Sequence, residues 1–217
     1  MKRLLIIGAG DFGREVLSWA THVQASQREW TITGFLDTDP AALAGKNVRV
    51  GVLGSPNDYV LSDGDVFVNA ISCPEAKLRI CESLAERGGC FINFLHPSVI
   101  VGSDCDLGYG NVLCPNVVLS NNVVLGRFIS INVASSIGHD TKIGDGCTIS
   151  SHCDVMGFAS LGRCCFLGSH AAVLPSRSVG NYSKIGACSA VIRNVAPRTT
   201  VMGVPAQVIT RAEHPKV

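Results

Sequence analysis

The 217-residue sequence is poor in charge, in long apolar runs and in paired thiols. Asp, Glu, Lys and Arg make up only 16% of it, and the formal net charge is +1. A broad basic face for nucleic acid or anionic lipid is therefore not expected. No apolar stretch approaches the roughly 20 residues that span a bilayer. The opening MKRLLIIGAG places basic residues before an apolar run, as a secretion signal would. That run stops after four residues, Leu4 to Ile7, and no small-residue cleavage site follows it. The expectation is a soluble protein in the cytoplasm.

Ten cysteines are present, but no two are spaced C-x-x-C as a structural zinc site would want. A disulfide framework belongs to short secreted chains, and nothing marks this chain as secreted. Cys164 and Cys165 are adjacent and would point to opposite faces of a strand. The reading that remains is small buried side chains within a repeat.

That repeat is present from Val101 onward. Every sixth residue is aliphatic, from Val101, Leu107 and Leu113 through Ile149 and Leu167 to Val191, sixteen in succession without an insertion. Glycine follows the aliphatic residue in nine of the sixteen hexads. Four residues after it the side chain is usually small or apolar, and Cys105, Cys147, Cys153 and Cys165 all fall there. A period of six is too short for a helical hairpin and does not match 3.6. It fits a parallel β-helix, in which each hexad forms one flat side and three sides close an 18-residue coil. The inward aliphatic residues then stack as a continuous core, each worth roughly 1.5–3 kcal/mol on burial. Open ends and flat faces predict capping and oligomerisation.

The first 96 residues follow a different rule. Apolar runs over 3–7, 31–36, 66–71 and 91–95 read as strands, the last leading through His96–Pro97 into the first hexad. Helical spacing covers 11–24, with Phe12, Val16, Trp19, Ala20 and Val23 on one face. It also covers 75–87, with Leu78, Cys81, Leu84 and Ala85. Alternating strands and helices predict a small Rossmann-like parallel α/β sheet over residues 1–96, followed by the solenoid and a C-terminal tail over 97–217.

Gly8-Ala9-Gly10-Asp11-Phe12-Gly13 is a G-x-G-x-x-G between the first strand and the first helix. Its glycines permit a tight turn and let a phosphate approach the helix N-terminus. Asp37 closes the second strand 24 residues after Gly13, where it suits a ribose or base contact. A domain of this size fits a mononucleotide or nucleotide-sugar better than a dinucleotide such as NAD. A loop that only shapes the turn is a further reading, and Asp11 would repel a phosphate if it faced the site.

IIGAGDFGREV, the FLHPS junction, SSIGHD within the hexads and a closing VMGVPA occur here in a familiar order. Over nearly its whole length the chain resembles the sugar O/N-acyltransferases, which include sialic-acid O-acetyltransferases and nucleotide-4-amino-sugar N-acetyltransferases. The resemblance implies a left-handed β-helix, a homotrimer, and acetyl-CoA lying between neighbouring helices. It implies that His139 is the general base and that Asp140 orients the imidazole or raises its basicity. The Gly157 backbone N–H, 18 residues on, would face the thioester carbonyl. CoA would continue past Gly168–Ser169 and Gly186–Ala187. Asn132 matches a position that contacts the acceptor sugar. The acceptor's nucleotide would lie on Gly8, Gly10, Asp11, Phe12 and Gly13, with Asp37 and Ser72 nearby. Many relatives carry a second histidine nine residues after the first, and here that position is Thr148.

The chemistry suits these groups. A nucleophile attacking a thioester must lose a proton, which an imidazole of pKa near 6.5 can accept. No hexad residue makes a persuasive covalent nucleophile, so direct attack is expected. His152 and His170 are also 18 residues apart, but their column continues to Ala134 and Cys188 without a carboxylate, and no metal site is expected. His96 belongs to the interdomain turn, and His22 and His214 read as surface residues. The leading function is N-acetylation of a nucleotide-linked 4-amino-6-deoxy sugar for a surface glycan, with O-acetylation of sialic acid close behind. A non-catalytic hexapeptide-repeat scaffold and an NAD-dependent sugar-modifying enzyme are the alternatives of other classes.

Overall fold

The structure, a computed structural model, describes residues 1–23 and 28–211. Gln24, the expected end of the first helix, and His214 lie outside the described residues.

Four parallel strands form the first sheet: β1 (Lys2–Ile7), β2 (Trp30–Leu36), β3 (Asp65–Asn69) and β4 (Cys90–Phe91), in the order β2-β1-β3-β4. Leu4, Leu5, Ile6 and Ile7 alternate between two faces, and all four are wholly buried because both faces are covered. Helix α1 (Asp11–Ala20) packs Phe12, Val16 and Ala20 on the side of Leu4 and Ile6. Helix α2 (Pro74–Glu86) packs Leu78, Cys81 and Leu84 on the side of Leu5 and Ile7. The strand expected over 91–95 is two strands. Phe91 pairs with Phe67 in the first sheet, whereas Phe94–Leu95 pairs with Val112–Leu113. Leu95 already obeys the hexad, six residues before Val101, so the chain has left the sheet by then.

From Phe94 to Val191 the hexads supply two-residue strands that pair in parallel with the strand 18 residues away, as in Ser130↔Thr148 and Thr148↔Phe166, the hexad of Leu107 contributing only the bridge Asp106↔Val124. Three ladders result. The first side carries Val112–Leu113, Ser130–Ile131, Thr148–Ile149, Phe166–Leu167 and Lys184–Ile185. The second carries Ser136–Ile137 and Asp154–Val155, and the third Lys142–Ile143 and Ser160–Leu161, each with its equivalents. Leu113, Ile131, Ile149, Leu167 and Ile185 are fully buried, one above another.

The corners explain the other hexad positions. Three residues after the inward aliphatic residue the backbone turns left-handed, at Asn122 (φ 58°), Asp140 (φ 58°), His152 (φ 58°) and Phe158 (φ 59°) among others. One residue later a short polar side chain reaches the next coil. Cys147 Sγ donates to the Gly162 carbonyl at 2.9 Å, Cys153 Sγ to Gly168 at 3.1 Å and Ser135 Oγ to Ser150 at 2.9 Å. The repeat cysteines, expected as small core fillers, are thus also hydrogen-bond donors, which is why serine and threonine share their position. All ten cysteines are free. Cys165 lies in the solenoid core, and its neighbour Cys164 packs outward against α2.

The α/β half rests on the first side. Val112 and Cys114 join the α1 core, while Phe128 and Cys164 join the α2 core. Glu82 of α2 accepts from Arg127 at 3.0 Å and from Arg163 at 2.9 Å. His22, exposed as expected, meets His96 with a 2.9 Å ring-nitrogen contact. Among the described residues no helix is long and apolar enough to cross a membrane.

Candidate active site

Three groups of side chains carry the expected chemistry, and one chain brings them to three different places.

The first lies at the corner after the second side. Asp140 occupies the left-handed corner position, its backbone N–H donating to the Asn121 carbonyl at 3.0 Å. One Asp140 oxygen sits 2.8 Å from His139 Nδ1, and the other accepts from Asn122 Nδ2 at 3.3 Å. A carboxylate can only accept, so the proton is on Nδ1 and Nε2 carries the free lone pair. Nε2 points at Gly157, one coil on. A Cβ there would stand 2.7 Å from His139 Nε2 and 2.7 Å from Cε1, so only glycine lets the imidazole approach this closely. The His139 side chain remains 56% exposed, open to a substrate. Phe158, itself exposed, stands edge-on to the imidazole at 5.1 Å.

Among the described residues, corner N–H groups at this hexad position are capped in some coils and, as at Asn121 and Ser151, free in others. At Ser103, Arg127 and Arg163 the corresponding corner N–H is capped by the Asn or Asp 18 residues later, at 3.1, 2.9 and 2.9 Å. The residue 18 after Gly157 is Pro175, which has no side-chain acceptor. Among the described residues the Gly157 N–H donates to nothing. An unpaired N–H can donate to a developing oxyanion, and the imidazole lone pair nearby can take a proton from an attacking nucleophile. The Asn122 and Phe158 contributions escaped the sequence reading, although both share Asp140's column at intervals of 18.

The second group, Asn132, Gly168, Ser169, Gly186 and Ala187, lies at the corner after the first side, one face of the coil away. Gly168 there hugs the next coil, since a Cβ on it would lie 2.6 Å from the Ala187 nitrogen. Asn132 turns its amide oxygen onto the Val133 N–H at 2.7 Å. His152 and His170 follow at the same corner with rings stacked in parallel, 4.9 Å apart and 4° from coplanar. Parallel rings do not converge on one ion, and no group of three or more metal-ligating side chains occurs among the described residues.

The third group lines the strand ends of the α/β sheet. Order β2-β1-β3 makes the crevice between β1 and β3 the point where the winding reverses, and ligands of open α/β sheets bind there. Gly8 (φ 101°) forms one wall and would strike the Ala70 carbonyl of the other if it bore a Cβ. Gly13 lets α1 close onto the Gly8 carbonyl, whereas Gly10 faces open space at the helix N-terminus. Asp11 points outward to pair with Arg14, removing the repulsion that its charge implied. Phe12 is buried in the core, so any ligand contact it makes runs through its backbone. Asp37 accepts from the Ala9 N–H at 2.7 Å and the Asp39 N–H at 2.9 Å, holding the glycine loop in shape. Ser72 opens onto a cavity of about 300 Å³, shared with Cys73, Pro74, Glu75, Cys164, Phe166 and Lys184. Thr148 faces none of these places; it is 7% exposed and lies under α2.

Comparisons with known proteins agree with this architecture. The family described as the PglD N-terminal domain matches residues 3–84. The chain is 30% identical over 155 residues to the GDP-perosamine N-acetyltransferase of Escherichia coli O157:H7, across 70% of this chain and 69% of that one. It superposes on PerB of Caulobacter crescentus, solved with CoA and GDP-perosamine, with a TM-score of 0.85 and 25% identity over 97% and 98% of the two chains. It shares its fold with the acetyltransferase domain of PglB from Neisseria gonorrhoeae FA1090, at a TM-score of 0.87 and 23% identity over 96% and 100%. Fold and site together define an acyltransferase built on a left-handed parallel β-helix behind a small Rossmann-like sheet. The chain belongs to the nucleotide-amino-sugar acyltransferase family.

Proposed function

We propose that the protein transfers an acetyl group from acetyl-CoA to the amine of a nucleotide-linked 4-amino-6-deoxy sugar, with His139 as general base. The observation that carries this is the pairing of a free imidazole nitrogen with the bare Gly157 N–H, the Nδ1 side being held by Asp140. The amine attacks the thioester carbon while Nε2 takes its proton. The carbonyl oxygen becomes an oxyanion and accepts from Gly157. Collapse of the intermediate breaks the C–S bond, and the imidazolium returns its proton to the departing CoA thiolate. Asp140 stabilises the transient imidazolium.

The nucleotide lies over Gly8, Gly10 and Gly13, with Asp37 and Ser72 at its edges. CoA runs past Gly168–Ser169 and Gly186–Ala187. Because those glycines and His139 lie along different corners of the solenoid, the site is completed between two copies, as a homotrimer provides. The product serves a surface glycan such as lipopolysaccharide and is made in the cytoplasm. In this reading the expected residues 1–96 serve the acceptor and 97–217 acetyl transfer, although solenoid pairing already begins at Phe94.

The test is CoA release from acetyl-CoA against UDP-, GDP- and dTDP-linked 4-amino-6-deoxy sugars and sialic acid, with His139→Ala alongside. The expected result is turnover with one amino sugar, reduced roughly 10²–10⁴-fold in the variant. Turnover with sialic acid alone would move the assignment to O-acetylation, and failure to bind acetyl-CoA would refute the acyltransferase chemistry itself.

A further inference from the structure

Lysine is almost never fully buried without a charged partner, yet Lys77 has no exposed surface. It leaves α2 toward the first side of the β-helix. There Nζ donates to Ser130 Oγ at 3.0 Å, the Cys147 carbonyl at 2.8 Å and Thr148 Oγ1 at 2.9 Å. All three ammonium protons are used, and all three acceptors are neutral. Loss of hydration therefore dominates and lowers the pKa to about 8, against a weak opposing pull from the thiols of Cys147, Cys81, Cys164 and Cys73. An apolar side chain of similar volume is commonly as stabilising as a buried charge, or more so. Stability alone does not account for this ammonium.

Its connections suggest what does. Ser130 Oγ in turn donates to Asn69 Oδ1 at 3.1 Å, and Asn69 Nδ2 donates to the Gly110 carbonyl at 2.6 Å. Asn69 ends β3, and Lys77 lies in the first turn of α2. The segment between them, residues 70–73, is thereby fastened to the first side of the β-helix at both ends. That segment is the wall of the nucleotide crevice opposite Gly8. One wall of the crevice is thus bolted directly onto the solenoid that carries the transfer chemistry.

We infer that Lys77 is a positioning residue. Through Ser130, Thr148 and Asn69 it fixes the nucleotide crevice against the β-helix, so that the acceptor amine arrives in register with the acyl donor. The inference rests on the function proposed above and deepens it. It also gives Thr148 a role: its hydroxyl is committed to the ammonium, at a position where relatives place a histidine.

The test uses the full chain and two variants, Thr148→Val and Lys77→Met. Affinities for acetyl-CoA and for GDP, UDP and dTDP are measured by calorimetry, kcat by CoA release, and amide exchange over residues 69–73 by mass spectrometry. The expected signature is unchanged affinities, a kcat lower by about 10- to 100-fold, as small misplacements of reacting groups produce, and faster exchange over residues 69–73. Should Lys77→Met fail to fold, Thr148→Val carries the decision, since it removes one acceptor and nearly keeps the volume. Unchanged kcat and exchange in Thr148→Val would overturn the inference. So would a collapse of both affinities together with melting temperature, which marks a merely structural residue. If the wild type acetylates no nucleotide-linked sugar, the proposed function falls, while the exchange arm still decides whether Lys77 fastens the crevice.

Discussion

Both halves of this chain lay parallel strands side by side, and they differ in what returns the chain to the next strand. In the α/β half a helix does so, and the helices α1 and α2 bury the sheet on both faces. In the β-helix a four-residue corner does so, and the sheets bury one another. The consequence is a different address for function. A sheet with helical crossovers leaves a crevice at its strand ends, and the glycine loop occupies it. A solenoid has no such crevice; its distinctive places are corners where the repeat departs from its own rule. At Gly157 the corner side chain is missing, which lets the His139 ring lie against it, and Pro175 offers its N–H no cap.

Three experiments sharpen or break this contrast, beginning with the largest effect. Ile149 stacks between Ile131 and Leu167 in the wholly buried column. Ile149→Ala should cost about 2–5 kcal/mol in urea unfolding. In a structure whose units contact only their neighbours, the loss should appear first as faster amide exchange in the coils around residue 149. Simultaneous loss of protection in β1 and β3 would show that the halves are one cooperative unit and dissolve the contrast.

Gly157→Ala comes next. Its methyl would overlap the His139 ring, which must then swing out of line. A fall in kcat of roughly 10²-fold is expected, with the melting temperature and acetyl-CoA binding preserved. Gly144→Ala is the control for backbone crowding, because its methyl would meet the Gly162 and Arg163 backbone, away from His139 and Gly157.

The smallest effect is on pH. Burial raises the Cys81 thiol to about 12 and the Cys153 thiol to about 11, against an ordinary 9.0. Each therefore adds stability that is complete below about 9 and is lost as pH rises toward those values. Lys77 works in the opposite direction. Its folded pKa of about 8 lies below the ordinary 10.5, so the unfolded chain holds more protons in that window and stability rises with pH across it. Melting temperature should climb slightly from pH 8 to 9 and fall beyond, and Lys77→Met should remove the climb and steepen the fall up to about pH 10.5. A steady decline from pH 8 in the wild type would contradict the Lys77 shift.

Much of the fold could be read in advance because a strict period leaves little freedom. Sixteen aliphatic residues at intervals of six define every inward position, and 18-residue pairing follows from three sides. What escaped was information the period does not carry. Phe94–Leu95 belonged to the repeat although its hexad was masked by the junction. The meaning of the cysteine column needed the donor geometry across coils. His139 and Gly157 were named together only through the family resemblance carried by SSIGHD, and the structure sets them side by side. That the Gly157 N–H is free could be read only from the hydrogen bonds, since the same hexad position is capped at Ser103, Arg127 and Arg163 and free at Asn121 and Ser151. Lys77 was invisible for a simpler reason. On the pattern of α2 it sits beside the apolar face, where a lysine ordinarily reaches water, and only the docking of two units on each other denies it water.

The last coil has a further consequence. Its return is two residues shorter than the others, with Lys184 opposite Thr200, and the strand Thr199–Met202 then folds back onto Gln207–Arg211 in antiparallel sense. A stack of parallel coils ends in a row of unsatisfied peptide groups that invites another chain to continue it, the geometry of fibril growth. By reversing direction, this hairpin offers an incoming parallel coil a mismatched template. End-to-end growth at this end of the solenoid is thereby disfavoured.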